Sequence, residues 1–348
     1  MFQQRYQGVV EVQRLGIDDP CLNECRGENI IVSDLIEDAD NDVLEQNKRA
    51  NRQIQTLQHR ITSDWRVQSF TGLMYENHAK HSQIVQKIKS PVLSESVNIF
   101  GFPKGSRAGT FLHTLFESVI FETAEPINAL QTHYESLEVL IKEKLSLSKL
   151  VDEALMPQWC QYLTDWMKAV LAFPLTGQTS LSQLNEQDYI SEMAFYFPVQ
   201  QLQANKFNAL IKRFNHHATD IDFRTFEGHL KGAIDLVFKA NDQYFILDYK
   251  SNYLGDSVEN YQPEALQLVM NDHRYDVQYI LYTLATHRFL KHRLGERYDY
   301  ERDFGGAYYL FLRGLALDSE DNNTDTGVIF IKPEFELIDA LDREFEGL

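Results

Sequence analysis

The chain has 348 residues, with 43% hydrophobic and 12% aromatic side chains, enough for one large domain or two modest ones around a real core. Its formal net charge of −18 excludes a basic nucleic-acid-binding module, because affinity for DNA comes largely from lysine and arginine meeting phosphates. No run approaches the ~18 apolar residues of a membrane span, and Met1-Phe-Gln-Gln-Arg-Tyr6 has no secretion-signal core, so a cytoplasmic protein without membrane contact is expected.

Residues 1–60 show weak periodicity and many acids, among them Asp18, Asp19, Glu24, Glu28, Asp34, Glu37 and Asp38. They read as a linker or the tail of a preceding domain, disordered in part. Cys21 and Cys25 fall here, and with Cys160 they make an odd, sparse set that suits a reducing compartment and is one thiolate short of a four-cysteine metal or cluster site. Trp65-Arg66-Val67 marks the expected start of the folded part, and Ser69-Phe-Thr71 carries cap residues for a short helix. Residues 76–100 read as a loop or weak helix.

Pro103-Lys104-Gly105-Ser106-Arg107-Ala108-Gly109-Thr110 then feeds an apolar stretch at helical spacing, Phe111 to Ile120. Thr110 is the expected N-cap, with His113 in the first turn. A glycine-containing loop before a helix is a generic anion site, where Lys104 and Arg107 are placed to meet a phosphate. The Gly-Lys-Ser/Thr ending of a P-loop occurs nowhere, so the chain is not by itself an NTP-driven motor. Residues 125–175 read as helical throughout, and Glu192-Met-Ala-Phe-Tyr-Phe-Pro-Val as a strand with a carboxylate at its start.

Gly232-Ala-Ile-Asp235-Leu-Val-Phe and Phe245-Ile-Leu-Asp248-Tyr-Lys250 are the most informative segments. They form two apolar strands, each broken by one aspartate, around a turn at Asn241-Asp242. If Ala240 faces Gln243, the ladder counts back to Asp235 opposite Asp248, and facing side chains there are only about 4.5–5.5 Å apart. Lys250 shares the face of Asp248 because the strand period is 2. Two carboxylates and an ammonium around one point can hold Mg²⁺ and steer water at a phosphodiester. A half-exposed hairpin with a salt-bridged lysine is the competing reading, but the flanking Ile234, Leu236, Val237, Ile246 and Leu247 suggest strands covered on both faces.

After the hairpin, Asp276–Leu294 reads as an amphipathic helix with Val277, Ile280, Leu281, Leu284 and Phe289 on its apolar face. Gln278 and Tyr282, four apart, share a second face, able to reach a phosphate or to serve as a polar shoulder. The C-terminal cluster Arg288, Lys291, His292, Arg293 and Arg297 is either a solvated helix end or a positive patch that tracks a nucleic-acid strand. Phe304–Phe311 and Val328–Ile331 read as strands, separated by a second acidic stretch at Asp318–Asp325. Pro333 is expected to open a last helix. Strands mixed with helices on both sides make an α/β class.

Gly109-Thr-Phe-Leu-His113, then Gly232-Ala-Ile-Asp235, Asp248-Tyr-Lys250-Ser-Asn and Gln278-Tyr279-Ile-Leu-Tyr282 follow one another at a distinctive spacing. In order and spacing they resemble the nuclease domain of the bacterial exodeoxyribonuclease V beta-subunit (RecB) family, as do Trp65-Arg66-Val67, Tyr309-Leu-Phe-Leu-Arg313-Gly and Ile338-Asp-Ala-Leu-Asp. The resemblance covers about residues 60–348. It implies a restriction-endonuclease-like mixed β-sheet flanked by helices, with a helical insert, over residues 61–348, and makes residues 1–60 the tail of a helicase region. It also implies a Mg²⁺-dependent deoxyribonuclease, with Mn²⁺ as substitute and Ca²⁺ as inhibitor, attached to a helicase in a recombination-repair complex, with DNA, the partner subunits and a recombinase as partners. By position, the metal ligands fall on His113, Asp235 and Asp248, joined by the Tyr249 carbonyl, and Glu192 is an additional acid. The catalytic lysine falls on Lys250, and the motif glutamine and tyrosine on Gln278 and Tyr282. The contrasting expectations are a non-catalytic docking module, which the acidic surface suits, and a phosphohydrolase of small phosphates.

Overall fold

The computed structural model describes residues 65–69, 72, 96–121, 125–126, 136–175, 179–215, 218–315 and 326–347. The readings of residues 1–60 and of Asp318–Asp325 lie outside them. Eight helices and eight strands are present among the described residues. The main sheet runs β1 (Trp65–Ser69), β5 (Phe226–Ala240), β6 (Gln243–Lys250), β7 (Phe304–Phe311) and β8 (Val328–Ile331), and β4 (Tyr189–Leu202) pairs with β5 as well. β6 and β7 are parallel, β1 and β5 are parallel, and the remaining pairs are antiparallel.

The turn lies where the residues place it. Ala240 pairs with Gln243, and Asn241 and Asp242 both take positive φ (50° and 63°), the left-handed region that this short turn demands and that asparagine and aspartate tolerate. The ladder continues to Leu236 opposite Leu247 and stops one step short of Asp235 and Asp248.

β4 runs along one edge of β5 from Phe226 to Phe238. β1 pairs with β5 at residues 227–231, so it must occupy the opposite edge, the one that β6 holds from Leu236 onward. Between them Gly232–Asp235 is unpaired on that edge, and the sheet forks there. Side-chain alternation also slips at this point. Ile234 and Val237, three apart, enter one core, whereas Leu236 and Phe238 enter the other. Across from Asp235, Glu192 of β4 has φ 51°, an uncommon value for a residue with a side chain, and is skipped between the Ser191–Leu236 and Met193–Ile234 pairs.

Each face of the hairpin is covered, which is why its strands are apolar almost throughout. On one face Leu236, Phe238, Phe245 and Leu247 pack with α1 (Ser106–Glu117), α2 (Leu137–Ser148) and α3 (Met156–Ala172). On the other, Ile234, Val237 and Ile246 pack with α4 (Ala204–Phe214), α6 (Tyr275–Leu294) and α8 (Phe335–Glu346). α5 (Pro263–Asp272) and the single turn α7 (Tyr300–Asp303) complete the helices.

Four readings are corrected. The stretch 125–175 is not helical throughout: β2 (Val119–Ile120) pairs with β3 (Glu125–Pro126), and Lys149, left-handed at φ 50°, separates α2 from α3. α1 begins at Ser106, after Gly105 turns the chain at φ 97°, so Thr110 is inside the helix and His113 lies beyond its first turn. α6 is not one-faced, because Asp276 to His287 is buried apart from half-buried Tyr279, including Thr283 and Thr286. Pro333 stands outside α8, whose N-cap is Glu334, and its carbonyl accepts from the Tyr300 hydroxyl at 2.7 Å.

Candidate active site at the sheet fork

Loss of the final ladder pair leaves the Tyr249 N–H without a strand partner, and the Asp235 side chain supplies one: Oδ2 accepts from Tyr249 N at 2.8 Å. The same oxygen lies 3.4 Å from His113 Nδ1. α1 can bring His113 this close because Gly109 passes against the loop after β6, where an added Cβ would stand 2.7 Å from Ser251 Oγ. Arg313, just after β7, is buried and ties the two approaches together. It donates to the carbonyls of Ile99, Phe102 and Pro103 ahead of α1, and to Ser251 at the end of β6.

Asp248 is buried on β6. Its Oδ1 accepts from Gln278 Nε2 at 3.1 Å, and its Oδ2 lies 2.5 Å from Lys250 Nζ. That contact is ionic rather than a hydrogen bond, and the ammonium is the partner of the buried Oδ2. Lys250 Nζ donates instead to Gln278 Oε1 at 2.8 Å and sits 4.0 Å from the Tyr275 ring centroid. The Tyr309 hydroxyl also donates to Gln278 Oε1, at 3.2 Å. With two donors on its oxygen, the Gln278 amide nitrogen is left to face Asp248 and the Tyr282 hydroxyl, 3.0 Å away.

The charge balance is unfavourable for the bare carboxylates. Burial first, then the Asp248 charge, pushes the Asp235 pKa well above the carboxylate range. Glu192 is pushed up by burial, by the charges of Glu117 and Asp248, and by a hydrogen bond with Glu117. Burial lowers the His113 pKa and so favours the neutral imidazole, the form that binds metals. Burial also raises the Tyr282 phenol, which stays protonated.

The structure therefore gathers His113, Asp235, Asp248, Lys250, Gln278 and Tyr282, with Glu192 alongside through Glu117. Two contributors escaped the sequence reading. Glu117 is four residues after His113 and thus on its helix face, a spacing that could have flagged it. Tyr309 pairs with Asp248 across the β6–β7 ladder, which only the strand order reveals. The basic candidates are not brought in. Arg107 donates to the Ser148 carbonyl at 2.5 Å, and Arg288 lies 2.5 Å from Asp342. Lys104 is exposed and stacks on Tyr253, and Arg293 is exposed beside Phe289. Arg288 is ten residues along α6 from Gln278, about 15 Å at helical rise.

The donor set suits a hard divalent ion. Two carboxylates stand near an imidazole that burial keeps neutral, and their excess of negative charge is relieved by a cation. Among the described residues, no group of three or more His, Cys, Asp or Glu side chains is arranged as it stands to hold a metal ion.

A hairpin whose two strands deliver an acid and then acid-x-lysine to the fork of a mixed sheet defines a class of nucleases. The family model of the PD-(D/E)XK nuclease superfamily matches residues 95–345, and the chain belongs to that superfamily. It is similar to the RecBCD enzyme subunit RecB of Escherichia coli (strain K12), 37% identical over 306 residues, which are 84% of this chain and 24% of that protein. The RecB of Haemophilus influenzae (strain ATCC 51907 / DSM 11121 / KW20 / Rd) is 33% identical over 310 residues, 82% of this chain and 24% of the relative. That of Mycobacterium tuberculosis (strain H37Rv) is 42% identical over 90 residues, 26% of this chain and 8% of the relative. The chain carries a RecB-like nuclease domain and spans about a quarter of the length of the first two relatives. Members of the superfamily generally use divalent metal ions. Among the described residues, no helix is long and apolar enough to cross a membrane.

Proposed function

We propose that the chain is a Mg²⁺-dependent deoxyribonuclease acting as the nuclease part of a helicase–nuclease complex in double-strand-break repair and recombination. The observation that carries this reading is the fork itself, where Asp235 and Asp248 meet beside Lys250 with more negative charge than the residues neutralise. Asp235, Asp248 and His113 would hold the ion, with Glu192 and Glu117 flanking it. When bound, a divalent ion supplies Lewis-acid polarisation of a phosphoryl oxygen and lowers the pKa of bound water.

The remaining work falls to the protein. Lys250 orients the attacking water and offsets charge developing on the phosphorane. Gln278 fixes Asp248 and Lys250 at once, so both keep their aim without a substrate. Tyr282, held protonated by burial, offers a hydroxyl toward the scissile strand. Lys104, Arg107 and Arg293 are candidate phosphate contacts at the surface, whereas Arg288 is held by Asp342.

The test is degradation of linear and plasmid DNA by the chain with Mg²⁺, with Mn²⁺, with Ca²⁺ and with EDTA. Cleavage with Mg²⁺ or Mn²⁺ and none with EDTA is expected. An inert protein that still pulls down a helicase subunit would instead establish a docking module.

A further inference from the structure

Among the described residues, no helix covers β1, the later part of β4 and the first half of β5 on the face that α1, α2 and α3 cover over β6. Trp65 and Tyr196 are each 57% exposed there and Val67 is 43% exposed, large apolar groups that a folded chain normally covers. They are not scattered. His229 lies between Trp65 and Tyr196, stacked on Tyr196 at 4.4 Å and 12° and meeting Trp65 edge-on at 5.4 Å and 73°. The three rings come from three adjacent strands and form one aromatic shelf.

We propose that Trp65, His229 and Tyr196 form a stacking platform for the bases of single-stranded DNA that leads into the fork. The proposal rests on the nuclease reading for its placement, and two observations select this occupant. β5 runs without a break from the shelf to the site: Lys231, exposed and paired with Tyr196, is four residues from Asp235, about 13 Å along the strand. That distance spans about four stacked nucleotides at ~3.4 Å each. The second observation is charge. A chain at −18 cannot hold a polyanion by its overall field, whereas base–aromatic stacking contributes about 1–3 kcal/mol per base and works on any sequence. A stable protein interface takes roughly 20–30 residues a side, far more than three rings and one valine.

The experiment uses the full chain in EDTA and a fluorescent oligothymidylate, with affinity read by anisotropy. Trp159 and Trp166 are buried, so intrinsic fluorescence quenching reports Trp65 directly. The double variant Trp65→Ala/Tyr196→Ala should bind at least about tenfold more weakly, since 1.4 kcal/mol is a factor of ten. Trp65→Phe/Tyr196→Phe should stay near the wild type, because it keeps two stacking faces. Affinity for blunt duplex should be unchanged in both. The proposal is overturned if the wild type has no affinity for the oligonucleotide, if the alanine variant binds within twofold of it, or if the phenylalanine variant loses as much. Metal-dependent degradation by the wild type is scored separately. A protein that binds through the rings but never cleaves would remove the nuclease reading and keep the platform, and one that cleaves with ring-independent affinity would do the reverse.

Discussion

The two ends of the β5–β6 hairpin treat charge in opposite ways. At the turn, a cleft of 490 Å³ is lined by Lys239, Asp242, Arg297, Arg302 and Asp303, and both of its acids are paired: Lys239 bonds Asp242 at 3.1 Å and Arg302 bonds Asp303 at 2.7 Å. At the fork, Asp235 and Asp248 lie beside Lys250 with Glu192 and Glu117 at the exposed margin, and burial with neighbouring charge drives the Asp235 and Glu192 pKa values upward. The same strands carry both ends, so the difference is not one of fold. Compensated charge holds a surface together, and uncompensated charge in a buried cleft is free energy stored for a ligand.

Substitutions at the two ends should therefore diverge. The largest effect is expected for Asp248→Ala, which removes the buried carboxylate of the fork. Cleavage should fall by at least about a thousandfold, and the thermal midpoint should fall as well, because buried Lys250 loses its carboxylate partner. An active variant would show that the acid is not needed. Next comes Lys250→Ala, with kcat down by about a hundredfold to a thousandfold and little change in KM. A loss confined to KM would recast the lysine as a substrate-binding group.

Asp235→Asn sharpens the contrast through stability. The folded pKa of Asp235 is raised, so its contribution is fully present below the ordinary carboxylate range and lost as pH rises through the raised value. In EDTA, the wild-type midpoint should fall across that rise, and Asp235→Asn should flatten the fall, since an amide oxygen can still accept from Tyr249 N. Parallel curves for the two proteins would contradict the assignment. The smallest effect is expected at the turn, where Lys239→Ala breaks an exposed pair and should leave both the midpoint and the rate within error.

Much of the fork was legible in the chain because short-range rules govern it. Asn241-Asp242 sets the turn, the turn sets the register, and period 2 puts Asp248 and Lys250 on one side. What stayed hidden depends on contacts far apart in sequence. The ladder's end before Asp235 follows from the slip opposite Glu192 on a strand forty residues earlier, and no local pattern announces it. The role of Arg313, holding backbone more than 200 residues upstream, has no local signature either. α6 misled in the other direction, since a polar residue on a helix normally marks solvent, whereas Thr283, Thr286 and Gln278 are buried between layers. Arg288 was hidden for the same reason: composition shows a cation, and only the fold shows that Asp342 pairs with it.

Anomalous diffraction from crystals soaked in MnCl₂ bears most directly on the fork. A manganese peak bonded to oxygens of both Asp235 and Asp248, with His113 Nδ1 or Nε2 at the same ion, is the predicted result. A fork with no peak at saturating Mn²⁺ and Lys250 still locked on Asp248, in a protein that nevertheless cuts DNA, would place the chemistry elsewhere.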